Sequence, residues 1–177
     1  QDGDLVITKF GICLFLQAAP ATFGSCIVTS PNLIKQDFED IMSQKFEKVA
    51  VLGAGVMGAQ IAGHFTNAGI PALLFDINQE LAQKGVDGLT KLKPAPLYKP
   101  KNAELVTACN YDDHVERLSE VDLVIEAVAE RIDIKHAVYN NIVPHLKDSV
   151  ILTSNTSGIP LGDLTTVLPD SLKKRFM

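Results

Sequence analysis

At 177 residues, with 46% hydrophobic and 21% charged residues, the chain can bury the core of one ordinary domain but not of two large ones. Its net charge of -5, with no arginine before Arg117 and only a loose lysine patch at Lys91, Lys93, Lys99 and Lys101, argues against a nucleic-acid partner. Cys13, Cys26 and Cys109 are odd in number and unpaired in spacing, which fits neither a disulfide framework nor a zinc site and favours a reduced, cytoplasmic setting.

Residues 1–41 show no sustained periodicity. They contain an apolar run, Phe10 to Leu16, followed by Gln17, Ala18, Ala19 and Pro20, which superficially resembles a secretory signal. Asp2 and Asp4 precede that run, and it is far shorter than the roughly 20 apolar residues of a membrane span. The segment has no arginine, whereas a mitochondrial leader would be arginine-rich and poor in acids. No transmembrane segment is expected.

From Phe46 onward, apolar strand-like runs alternate with helix-like stretches, the pattern of a parallel α/β sheet. Lys48 to Leu52 reads as a buried strand and Val56 to Asn67 as a helix closed by Gly69. Pro71 to Asp76 reads as a second strand and Gln79 to Leu92 as a second helix. The three prolines at 94, 96 and 100 then impose a loop, after which a short helix is expected over Ala103 to Ala108. Val121 to Val128 reads as a strand. A helix over Arg131 to Leu146 would put Ile134, Val138, Ile142 and Leu146 on one face, with Pro144 disturbing its last turn. Val150 to Ser154 is a further strand, Asp163 to Val167 a short helix, and Arg175-Phe176-Met177 the start of another strand.

Between the first strand and helix lies Gly53-Ala54-Gly55-Val56-Met57-Gly58, a G-x-G-x-x-G set. Gly53 would permit the tight turn, Gly55 the close approach of a pyrophosphate, and Gly58 close packing of helix on strand. The helix N-terminus, through the N–H groups of residues such as Val56 and Met57, would face the phosphates. Such a pattern is weak alone. Here Asp76 ends the second strand 76 − 53 = 23 residues after the first glycine, where an acid binds the adenosine ribose. The two together indicate a dinucleotide site. A carboxylate at that position repels the extra phosphate of NADP, and no arginine follows in Ile77-Asn78-Gln79-Glu80, so NAD is favoured.

With these residues in place a family resemblance emerges. Gly53 to Gly58, the strand ending Glu126-Ala127-Val128-Ala129-Glu130, Lys135, and Ser154-Asn155-Thr156-Ser157-Gly158 resemble the 3-hydroxyacyl-CoA dehydrogenases of fatty-acid β-oxidation. Lys93-Pro94-Ala95-Pro96-Leu97 is similar to one branch, the bacterial multifunctional enzymes that begin with the dehydrogenase domain and carry a hydratase domain later. The resemblance covers Phe46 to Met177, about three quarters of the chain.

The resemblance implies a Rossmann-type, doubly wound, mostly parallel sheet that stops before a C-terminal helical domain. It assigns Glu130 and Lys135 to the nicotinamide-side ribose of NAD. Ser157 is assigned to the contact between nicotinamide and the substrate's 3-hydroxyl, where a hydroxyl can both donate and accept. Lys99 becomes a candidate contact for CoA phosphates. In the family a histidine in His-Phe-Phe-Asn-Pro follows the Arg-Phe-Met position and acts as general base, oriented by a glutamate. His64, His114, His136 and His145 match neither its context nor its place at a strand end.

This chain is therefore expected to supply the NAD-binding domain for a 3-hydroxyacyl-CoA substrate, to lack the catalytic histidine, and to work in a longer protein that forms a homodimer or larger complex. Met42 lies 48 − 42 = 6 residues before the first strand, a usual distance for a start in this fold. On that basis the NAD-binding domain is taken as residues 42–177, and residues 1–41 as upstream or appended sequence. Two other readings remain open on the residues alone. One is another β-hydroxyacid or 6-phosphogluconate-type dehydrogenase, which Asp76 disfavours. The other is a non-catalytic NAD-binding module.

Overall fold

The computed structural model describes residues 45–177. The apolar run Phe10 to Leu16, Cys13, Cys26 and the boundary at Met42 lie outside them. Phe46–Met177 forms one compact unit.

Five strands build one sheet: β1 (Val49–Leu52), β2 (Ala72–Asp76), β3 (Val106–Asn110), β4 (Leu123–Glu126) and β5 (Ile151–Ser154). They pair in the order β3-β2-β1-β4-β5, all parallel. Parallel neighbours need crossovers, and helices supply them: α1 (Val56–Asn67), α2 (Gln79–Gly88), α3 (Tyr111–His114) and α4 (Ile132–Ile142). Two short helices, α5 (Leu161–Leu164) and α6 (Asp170–Lys173), follow β5. The sheet is covered on both faces, which is why its strands read as near-continuous apolar runs. Val51 and Leu74 approach Gly58 and Gly85 of α1 and α2. Ala50, Leu52, Leu73 and Phe75 instead share a core with Tyr139, Ile142 and Leu164.

The doubly wound parallel architecture is as the sequence implied, and Val56–Asn67 has the bounds expected of it. Gly69 follows it at φ 81°, in the left-handed region that ends helices. One strand was misread. The expected helix over Ala103 to Ala108 is instead a 3₁₀ segment, Pro100–Leu105, running directly into β3. Ala103, Glu104 and Leu105 favour helix, but pairing of Val106–Asn110 with β2 overrides that bias at the sheet edge.

The second helix stops at Gly88, short of Leu92, the chain continuing in tight turns (Leu92 N–H to Gly88 carbonyl, 3.1 Å). Pro144 ends α4 at Ile142 and leaves a 3₁₀ turn, Val143–His145. The buried residues of α4 are Lys135, Tyr139 and Ile142. Of the expected stripe Ile134, Val138, Ile142 and Leu146, Ile142 is fully buried and Val138 and Leu146 pack partly buried against the core. Lys135 and Tyr139 add a second buried row beside it. Asp163 to Val167 divides between α5 and a 3₁₀ turn. The expected terminal strand forms a parallel bridge, Phe176 beside Leu152.

Phe75 is fully buried and stacks on Tyr111 with ring centroids 5.6 Å apart. Phe75→Ala is expected to cost about 3–5 kcal/mol, read as a lower midpoint in urea unfolding of the whole chain.

Candidate nucleotide site at the carboxyl edge of the sheet

The strand order reverses between β1 and β4, the crevice where open α/β sheets bind ligands. Two segments line it, the turn after β1 and the segment after β4.

The first turn is shaped by close approaches. Gly53 sits at φ 103°, and a Cβ there would lie 2.6 Å from the Ala127 carbonyl oxygen. A Cβ on Gly58 would lie 1.8 Å from the Gly53 carbonyl oxygen. Both glycines are therefore demanded by the fold itself. Gly55 is different, because a Cβ there would meet no protein atom within 4 Å. It is the N-cap of α1, without a side-chain cap, and Val56 and Met57 beside it are 66% and 55% exposed. The first N–H groups of a helix have no intrahelical partner, so this end suits an anion, and a side chain at 55 would obstruct it. The residues present fit a pyrophosphate.

Asp76, at the end of β2, accepts from the Ala54 N–H (2.7 Å) and the Ile77 N–H (2.8 Å). The acid thus fixes the glycine turn as well as standing at its rim.

Glu130 lies beyond β4, exposed, with one carboxylate oxygen collecting the hydroxyl of Thr156 (2.6 Å) and the N–H groups of Gly158 (2.9 Å) and Ser157 (3.1 Å). Its other oxygen is 3.1 Å from the Lys135 ammonium. The Thr156 hydroxyl first, then the Gly158 N–H, with Lys135 and the Ser157 N–H adding, hold this carboxyl down at about 2 against opposing desolvation. Ser157 is exposed, and among the described residues its hydroxyl has no hydrogen-bond partner.

Lys135 is not on the surface. It is 1% exposed, and its ammonium is 2.8 Å from each oxygen of Glu126, the last residue of β4, itself fully buried. Glu126 also accepts from the Val128 N–H (2.8 Å), the Tyr139 hydroxyl (3.1 Å) and the Ser154 hydroxyl (2.6 Å). Burial, with Glu126 beside it, raises the Tyr139 hydroxyl above its ordinary range. In the sequence, Glu126 and Thr156 stand out only as members of motifs, and Tyr139 not at all. A signal existed: Lys135 and Tyr139 stand i, i+4 on one helix face, opposite a carboxylate in an apolar strand.

Lys99 lies elsewhere. Its neighbour Tyr98 donates its N–H to Asn67 (2.9 Å), and Asn67 donates to the Pro96 carbonyl (2.8 Å), pinning the proline-rich segment to the last residue of α1. That is the opposite end of a helix about 18 Å long from the glycine turn. The histidines also stand apart from this network: His64 is exposed on α1, His114 bonds Asn110, and His136 bonds the Asp163 carbonyl.

Residues 48–176 match the family model for the NAD binding domain of 3-hydroxyacyl-CoA dehydrogenase. The chain belongs to that family. The family is one of oxidoreductases, and its cofactor is NAD.

Over 140 residues the chain is 38% identical to a Deinococcus radiodurans protein described as "Probable 3-hydroxyacyl-CoA dehydrogenase", covering 75% of this chain and 40% of that one. Over 149 residues it is 34% identical to the fatty acid oxidation complex subunit alpha of a Psychrobacter species, covering 79% of this chain and 20% of that one. The chain therefore spans less than half the length of these relatives. Among solved structures, (S)-3-hydroxybutyryl-CoA dehydrogenase from Ralstonia eutropha superposes with a TM-score of 0.61 at 29% identity, covering 75% of this chain and 48% of that one. A 3-hydroxyisobutyrate dehydrogenase from Mycobacterium tuberculosis shares the fold alone, at 19% identity, 75% and 39% coverage and a TM-score of 0.52.

The depressed Glu130 contributes stability that is present above the ordinary carboxylate value of 4.5 and is lost as pH falls toward about 2. Thr156→Ala is expected to raise the Glu130 midpoint from about 2 toward 4.5, measured by carbon-detected NMR titration of the side-chain carboxyl.

Proposed function

We propose that this chain supplies the NAD-binding domain, residues 42–177, for NAD-dependent oxidation of (S)-3-hydroxyacyl-CoA to 3-ketoacyl-CoA in fatty-acid β-oxidation. The carrying observation is convergence at one crevice. The open N-terminus of α1 at Gly55, the acid Asp76 and the anchored Glu130–Ser157 pair come from four strand ends, those of β1, β2, β4 and β5. In support of one domain following the N-terminal segment, Phe46–Met177 stands as one compact unit.

In this reading Gly53 to Gly58, with the backbone of Ala54, Val56 and Met57, receive the pyrophosphate. Asp76 takes the adenosine ribose. Glu130, held by Lys135, takes the ribose on the nicotinamide side. Ser157 presents its hydroxyl to the substrate's 3-hydroxyl, able to donate to the ketone and accept from the alcohol. NAD, when bound, supplies the acceptor for the hydride leaving C3.

The 3-hydroxyl proton needs a general base. None of the four placed histidines joins the Glu126–Glu130 network, so we assign the base, the acyl-CoA site and homodimer or larger assembly to the additional length of such relatives. A cytoplasmic setting belongs to the same proposal. No helix of the described residues is long and apolar enough to cross a membrane.

Calorimetry on the whole chain tests the cofactor site. NAD is expected to bind at least about tenfold tighter than NADP, a difference of ~1.4 kcal/mol. Asp76→Asn keeps an acceptor for the Ala54 N–H and removes the charge, and is expected to bring the two nucleotides to within about threefold. A folded chain that binds neither nucleotide would sink the proposal.

A further inference from the structure

Glu126 touches no solvent, yet it is the most heavily hydrogen-bonded carboxylate at the crevice, a distinction that packing does not require. Its register partners are Leu52 across β1 and Ser154 across β5, and Leu52 in turn faces Phe75 and Phe75 faces Cys109. Most of that row is buried and apolar. A well-packed apolar residue at 126 would serve the core as well, since buried ion pairs add little net stability.

What the carboxylate does is hold Lys135. An ammonium has three donors. Here it lies 2.8 Å from both oxygens of Glu126 and 3.1 Å from the outer oxygen of Glu130. Lys135, being 1% exposed, reaches the crevice through Glu130. The inner oxygen of Glu130 in turn gathers Thr156 and the N–H groups of Ser157 and Gly158. One unbroken chain of charge-assisted bonds therefore runs from the core to the backbone of Ser157.

We propose that Glu126 is a positioning residue: acting through Lys135 and Glu130, it sets the place of Ser157 and of the Glu130 carboxylate without touching cofactor or substrate. The inference rests on the reading that Glu130 and Ser157 serve the nicotinamide half of NAD.

The two halves of the nucleotide separate the effects. ADP reports the glycine turn and Asp76 alone, whereas NAD adds the second ribose and the nicotinamide. In calorimetry on the whole chain, Glu126→Gln is expected to weaken NAD about tenfold while ADP stays within about twofold of wild type. Lys135→Met should show the same selective loss, and the Glu126→Gln/Lys135→Met double variant should bind NAD no more weakly than Lys135→Met alone.

Tyr139→Phe removes a single neutral donor from Glu126 and should give a smaller, NAD-only loss of about threefold. It decides the matter if Glu126→Gln does not fold. Equal weakening of ADP and NAD in these variants, or losses that simply add in the double variant, would overturn the proposal. A wild-type chain that binds ADP but gains nothing from the rest of NAD overturns the reading of Glu130 and this inference with it. That failure shows in the wild-type titration, before any variant is made.

Discussion

Parallel pairing forces the five strands to deliver their carboxyl ends to one edge, and the register makes that edge a row. Gly53 follows Leu52, Ala127 follows Glu126 and Asn155 follows Ser154, one residue past the last paired positions. The row is sealed by backbone bonds, Gly53 N–H to the Phe75 carbonyl (2.8 Å), Ala127 N–H to Leu52 (2.8 Å) and Asn155 N–H to Glu126 (2.7 Å). With α1 leaving β1 at once, the only way to keep its axis over the sheet is to bring position 58 onto the Gly53 carbonyl. The site inherits its precision from that contact, because the helix end that would face phosphate cannot shift without the strand.

The two halves of the crevice are built on different physics. Around Gly53, Gly55 and Gly58 it is the absence of side chains that shapes the turn, and the charge of Asp76 is spent partly on holding Ala54. Around Glu126 and Glu130 it is charge that shapes the turn. Two carboxylates share one ammonium, and removal of one member of a buried pair costs about 3–5 kcal/mol because the other is left uncompensated. Glu130 is far less buried than Glu126, with 42% of its side chain exposed, so its part is to orient more than to stabilise.

Legibility in the sequence followed the same division. The glycine turn and Asp76 were readable because their spacing is local: strand, turn and helix are contiguous, and each glycine answers a backbone demand. Glu130, Lys135 and Ser157 were reached by resemblance to the 3-hydroxyacyl-CoA dehydrogenases, and the bonding that unites them spans β4, α4 and β5. No local pattern encodes that Thr156 closes on Glu130, 26 residues earlier. The buried face of α4 is wider than periodicity shows for a related reason. Periodicity finds Val138, Ile142 and Leu146, which pack in or against the core, but not Lys135 and Tyr139, which a buried carboxylate on the sheet draws inward beside them. β3 was missed because an edge strand of five residues carries little apolar signal, and what makes it a strand is the neighbour it pairs with.

The parallel bridge at the other edge has its own consequence. A strand at the border of a sheet offers unpaired N–H and C=O groups to any other extended chain. Here the Leu152 N–H donates to the Arg175 carbonyl (3.1 Å), the Met177 N–H to Leu152 (3.0 Å) and the Ser154 N–H to Met177 (2.9 Å). Residues 175–177 thus take up N–H and C=O groups that the border of β5 would otherwise leave unpaired. They do so beside the strand that carries Ser154, so the same short segment that satisfies this border also braces one anchor of the buried carboxylate.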